Sequence, residues 1–137
     1  MDPLSVTASV IAILQLTGAV ITQLNDVKNA PKECQQCTIE ACNLQSLLIC
    51  LRYRLEQGQK GDPWFTTVRT LNVKNGPLDQ YKRALEQLQS KVDVGNSANR
   101  IKRRLVWKFS KAEVAEILAR MERLKTHVNI VLNNDDL

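Results

Sequence analysis

The sequence predicts an all-α fold: an antiparallel helical bundle of four main helices plus one or two short ones. Three observations predict it. The six aromatic residues (Trp64, Trp107, Tyr53, Tyr81, Phe65 and Phe109) leave a core of Leu, Ile, Val and Ala, a mix that favours helices. Apolar residues recur by threes and fours along most of the chain. No run alternates with period two over a strand length. A chain of 137 residues is sized for one domain. We assign residues 1–132 to the bundle and residues 133–137 to a C-terminal tail.

Each element has a local cause. Asp2-Pro3 starts the first helix, because Asp caps and Pro takes the first helical position without loss. That helix is expected to run to about Lys28, where Asn29-Ala30-Pro31 breaks it; the residue before a proline avoids helix. Pro31 opens the second helix, with Glu33 in its first turn. Along it Cys37, Ala41, Leu44, Leu48, Leu51 and Leu55 make an apolar seam of heptad type, ending at Gly58.

Asp62-Pro63 restarts the chain into a short helix with Trp64, Phe65, Val68 and Leu71 on one face. Asn75-Gly76-Pro77 stops it and opens the next, which carries Leu78, Tyr81, Leu85, Leu88 and Val92. A polar connection, DVGNSANR, follows. Then SKAEVAEIL gives the strongest local signal: Ser110 and Glu113 form a capping box, flanked by a Phe109–Val114 staple. The last helix carries Val114, Ile117, Met121, Leu124, Val128 and Val131 and ends near Asn133.

Charge is unevenly placed. Residues 100–137 carry five acids and nine bases, so most of the net +5 lies there. The densest part, RIKRRLVWKFSK, holds Arg100, Lys102, Arg103, Arg104, Lys108 and Lys111. Such a cluster attracts nucleic acid, anionic lipid or an acidic protein, or forms a solvated helix face.

The four cysteines, Cys34, Cys37, Cys42 and Cys50, fall within one expected helix. One helix cannot wrap a tetrahedral zinc ion. They are expected to be buried, reduced thiols, consistent with a reducing compartment. No metal or cofactor is expected. Glycine-rich phosphate loops, G-x-S-x-G and H-E-x-x-H are absent from the sequence. His127 is the single histidine and reads as structural or exposed. No enzymatic activity and no small-molecule substrate are expected.

The N-terminus decides most about function. No charge lies between Asp2 and Asp26. A signal peptide needs a basic n-region, and no base precedes Lys28. From Leu4 to Leu24 there are ten Leu, Ile or Val residues: Leu4, Val6, Val10, Ile11, Ile13, Leu14, Leu16, Val20, Ile21 and Leu24. At about −0.3 to −0.6 kcal/mol each they contribute roughly −3 to −6 kcal/mol toward insertion. Ser5, Thr7, Ser9, Gln15, Thr17, Thr22 and Gln23 oppose it. Insertion is therefore marginal. The polar residues are not gathered on one face, which suits a central, buried helix better than a surface one.

MDPLSVTASVIAILQLTGAVI, LNDVKNAPKE, LLICLRYRLE, GPLDQYKRALEQLQSK and LVWKFSKAEVAEILARMERLK together resemble the HeLo-like N-terminal domain of fungal NLR/STAND receptors. The resemblance covers about residues 1–132. It implies a cell-death module that oligomerises on activation, releases its N-terminal helix and permeabilises membranes. By position, the inserting element is Leu4 to Leu24. Cytoplasmic residence, with movement to the plasma membrane on activation, follows from the same likeness. Anionic membrane lipids are the expected partners, and the basic residues Arg100 to Lys111 are our own candidates for head-group contact. The chain closes at Asn-Asn-Asp-Asp-Leu137, so it reads as an isolated domain or a short standalone relative. Two other classes compete. One is a non-lytic homotypic docking module, with Trp64 and Phe65 as candidate anchors. The other is a nucleic-acid binder; it lacks a base-reading pattern and is not expected.

Overall fold

Helix-forming residues and their breakers divide the chain as follows. In the computed structural model, residues 3–58, 61–91, 93–94 and 105–133 are described. They form α1 (Pro3–Asn25), α2 (Lys32–Gln57), α3 (Trp64–Arg69) with a 3-10 turn (Thr70–Asn72), α4 (Pro77–Lys91) and α5 (Lys111–Asn133). The fold is all-α. Among the described residues the extended structure is a two-residue antiparallel pair, β1 (Asp93–Val94) with β2 (Leu105–Val106), aligning Asp93 with Val106. A pair that short has no periodicity to read.

The breakers act largely as expected. α1 ends three residues before Lys28. The amides of Asp26 and Val27 bond to the carbonyls of Gln23 and Leu24, three residues back, and Asn29 turns left-handed at φ 53°. This tightened exit stops the helix earlier than Pro31 alone requires. Asp62 Oδ1 accepts the Trp64 amide at 3.0 Å and starts α3. At α5 the capping box is complete: Glu113 N donates to Ser110 Oγ at 3.1 Å, and Ser110 N donates to Glu113 Oε1 at 3.0 Å.

α1 packs on α2 and α4, and α5 packs on the same two helices. The Cys34 thiol points to the Leu24 carbonyl, and Gln45 lies beside Gly18. α1 and α2 therefore run antiparallel. Arg123 meets Gln80 while Lys91 pairs with Glu113, so α4 and α5 are also antiparallel. The other two neighbours run parallel. Thr17 faces Tyr81, and Gln23 reaches Gln89, along α1 and α4. Lys125 pairs with Glu40, and the Trp64 indole just beyond α2 donates to Val131 O near the end of α5.

The core fills from four seams. Every residue of the α2 and α5 seams is buried, as are Leu78, Tyr81, Leu85 and Leu88 of α4; Val92 lies outside the described residues. α1 adds Val6, Val10, Ile13, Thr17, Val20 and Leu24, spaced by fours and threes. Trp64 and Phe65 are buried in edge contact, with ring centroids 5.5 Å apart. They are core residues and not exposed anchors.

Candidate functional site

α1 is the expected active element. It does not occupy a central position. One stripe is buried, and Ser5, Ala8, Ala12, Gln15, Ala19, Thr22 and Asn25 are exposed on the opposite side. The expectation of a wholly buried helix fails because the outward residues are mostly small: Ala and Ser weaken a polar face without making an apolar one. Of the ten candidate inserting residues, Val6, Val10, Ile13, Val20 and Leu24 are in the core. Ile11, Leu14, Leu16 and Ile21 are half-buried, and the Leu4 side chain lies outside the described set.

The polar atoms of α1 are largely satisfied within the helix. Ser9 Oγ, Thr17 Oγ1 and Thr22 Oγ1 each donate to the carbonyl four residues back, at 3.1, 2.8 and 3.1 Å. A hydroxyl that bonds its own helix carries this bond into any solvent, which lowers its cost in hydrocarbon. Tertiary polar contacts tie α1 to α4: Thr17 Oγ1 and Tyr81 Oη are 2.9 Å apart, and Gln23 Nε2 reaches Gln89 O at 3.5 Å. Burial pushes the Tyr81 phenol up to about 12. Among the described residues, only Ser5–Asn25 is long and apolar enough to span a membrane, with mean hydropathy 1.8.

The basic cluster divides. Arg100, Lys102, Arg103 and Arg104 lie outside the described residues. Lys108 and Lys111 are exposed, on either side of the Ser110 cap. Trp107 and Phe109 beside them are half-buried against the core, with ring centroids 4.6 Å apart. Lys91 covers the Phe109 ring at 5.6 Å and pairs with Glu113. That pair, with the Ser110 amide, holds the Glu113 carboxyl down to about 2.

Two further features escaped the sequence reading. Cys34 and Cys37 are buried, but Cys42 and Cys50 are exposed, so the expectation of four buried thiols is corrected. Cys42 and Cys50 are exposed on the side of α2 away from its buried seam, as are Ile39, Ile49 and Tyr53. Burial raises both inner thiols, Cys37 to about 12. A groove of about 430 Å³ opens between α2 and α5, lined by Ile39, Ala115 and Leu118 together with Glu40 and Glu122. The outward apolar residues of α2 could have been counted as a second stripe. His127 Nδ1 contacts its own helix at Arg123 O, 2.9 Å away. Among the described residues no group of three His, Cys, Asp or Glu is placed to hold a metal ion.

No protein-family model matches the chain, and no curated protein or solved structure matches it.

Proposed function

We propose that this chain is a HeLo-like four-helix bundle that acts, without catalysis, as a membrane-targeting cell-death effector domain of a fungal NLR-type receptor. After oligomerisation its first helix leaves the bundle and permeabilises an anionic membrane. The bundle is supported by the ring of contacts α1–α2–α5–α4; it is antiparallel within α1/α2 and α4/α5.

The observation that carries the membrane reading is α1 itself. It is uncharged over a bilayer-spanning length, packed through a single stripe, and has three hydroxyls bonded to its own backbone. A helix that switches solvent must be tolerated in both. Exposed Lys108 and Lys111 supply attraction to anionic head groups of roughly 1 kcal/mol each.

The test exploits the exposed face. Ala12 and Ala19 are exposed, so Ala12→Asp with Ala19→Asp leaves the bundle folded. In a bilayer the two Asp together cost about 5–7 kcal/mol, against an apolar contribution of roughly −3 to −6 kcal/mol that the polar residues of α1 already oppose. Dye release from anionic vesicles is expected for the parent and lost in the double variant, with circular dichroism unchanged. Equal release from both would remove α1 from the mechanism.

A second reading, a non-lytic docking module, is favoured by one observation. Ile39, Ile49 and Tyr53 are exposed along α2.

A further inference from the structure

The outer side of α2 carries a pattern that lipid insertion by α1 does not explain. Gln35, Ile39, Cys42, Ser46, Cys50, Tyr53 and Gln57 are all exposed. Their spacings read the same from either end about Ser46: four, three and four residues outward in order of four, three, four. At 100° per residue they form one stripe. Its chemistry is also mirrored. Gln stands at both ends, a large apolar residue comes next (Ile39, 59% exposed; Tyr53, 66% exposed), then a cysteine on each side of a central serine.

An isologous interface presents one patch to itself, so that residue i meets residue j and j meets i. A stripe that mirrors about one position meets that demand. We propose that the outer stripe of α2 is a homodimer interface, with a second copy of this chain packed antiparallel about a two-fold axis at Ser46. In this register Gln35 is level with the partner's Gln57, Ile39 with the partner's Tyr53, and Cys42 with the partner's Cys50. The proposal stands apart from the membrane reading, because it needs no movement of α1.

Electrostatics and shape favour a second copy over other occupants. No charge lies between Glu40 and Arg52, and those two lie off the stripe, ion-paired within the chain to Lys125 and Glu56. From Gln35 to Gln57 the stripe itself carries no Lys or Arg, and Arg52 beside it is paired to Glu56, whereas a helix lying on lipid presents such bases to head groups. Cys42, Ser46 and Cys50 form a row of small side chains four residues apart at the centre of the stripe. All three are small, so the helix axes can approach to about 8 Å. With Cα atoms on a radius of about 2.3 Å, cysteines at the same level then fall within bridging range. The α2–α5 groove opens beside Ile39 and leaves space for the Tyr53 ring of the second copy.

The exposed thiols make the register testable. Diamide joins two apposed thiols as a disulfide, and its azo bond takes up the two electrons and two protons released. Cys34 and Cys37 are buried and do not compete. In the proposed register Cys42 faces Cys50 but neither faces its own counterpart, which is eight residues, roughly 12 Å, along the helix. Parent protein is expected to have a dimeric mass by sedimentation and to cross-link with diamide. Cys42→Ser alone and Cys50→Ser alone should stay uncross-linked, and an equimolar mixture of the two should cross-link. Ser46→Glu puts two like charges on the axis at an exposed position, and is expected to return the mass to that of a monomer with helicity unchanged. A monomeric parent at every concentration, equal cross-linking of each single variant and the mixture, or a dimeric Ser46→Glu protein would overturn the proposal. Dye release by the Ser46→Glu protein reports on α1 separately.

Discussion

The Thr17 and Tyr81 hydroxyls meet at 2.9 Å in the core, and they are not equivalent partners. Thr17 Oγ1 already donates to Ile13 O at 2.8 Å. Tyr81 therefore donates to Thr17, and the chain Tyr81 to Thr17 to Ile13 joins α4 to the backbone of α1. Thr17→Val leaves a buried phenol donor without an acceptor, at about 1–3 kcal/mol. Tyr81→Phe strands no donor and should cost less, about 0.5–1.5 kcal/mol. Urea unfolding of both variants checks the order.

Alkali should loosen the same region. Burial raises Tyr81 from 10.0 to about 12 and Cys37 from 9.0 to about 12. Both groups fold better protonated. Their contribution is complete below the unfolded values and is lost as pH rises from about 9 toward 12. Tyr81→Phe should flatten the fall between pH 10 and 12, leaving the Cys37 part, when melting temperature is followed against pH.

At the other end of the scale, Glu113 folds better ionised. The hydrogen bond from Lys91, and after it the Ser110 amide, lower its carboxyl from 4.5 to about 2. Its contribution is present above pH 4.5 and fades as pH falls toward 2. Glu113→Gln should remove that acid sensitivity. Ser110→Ala removes the reciprocal cap and should cost about 0.5–2 kcal/mol at neutral pH, read by thermal melts.

Thiol counting distinguishes the two sides of α2. In dilute folded protein an aromatic disulfide reagent should label two cysteines, Cys42 and Cys50, and reach all four only in denaturant. If α2 pairs with a second copy, labelling should slow as protein concentration rises. Four fast thiols in the dilute folded state would contradict the packing of Cys34 and Cys37.

Three of the four seams were legible from spacing because each is an unbroken run of apolar residues at steps of three and four. The α1 seam was not. Its fourth member is Thr17, and the polar residues around it seemed to scatter over the helix. The seam is regular all the same, because Tyr81 and the Ile13 carbonyl satisfy the threonine where an aliphatic residue would otherwise stand. Cys42 and Cys50 misled in the opposite direction. Free cysteine is usually buried, yet these two fall between the positions that α2 turns inward. The candidate site was legible only as a set of residues. How deeply each is held, and which of them shares a face with another, depended on its neighbours.

Local chemistry therefore determined the helices, their caps and their breaks. A helix closes its hydrogen bonds four residues away, and a cap or a left-handed asparagine acts within one turn. Tertiary packing decided what those helices meet. Periodicity makes a stripe but does not name its partner: it left open that α1 lies parallel to α4, and that α2 shows one stripe to the core and another to solvent. Burial is a property of pairs of distant segments, settled when four seams close on one another and exclude water.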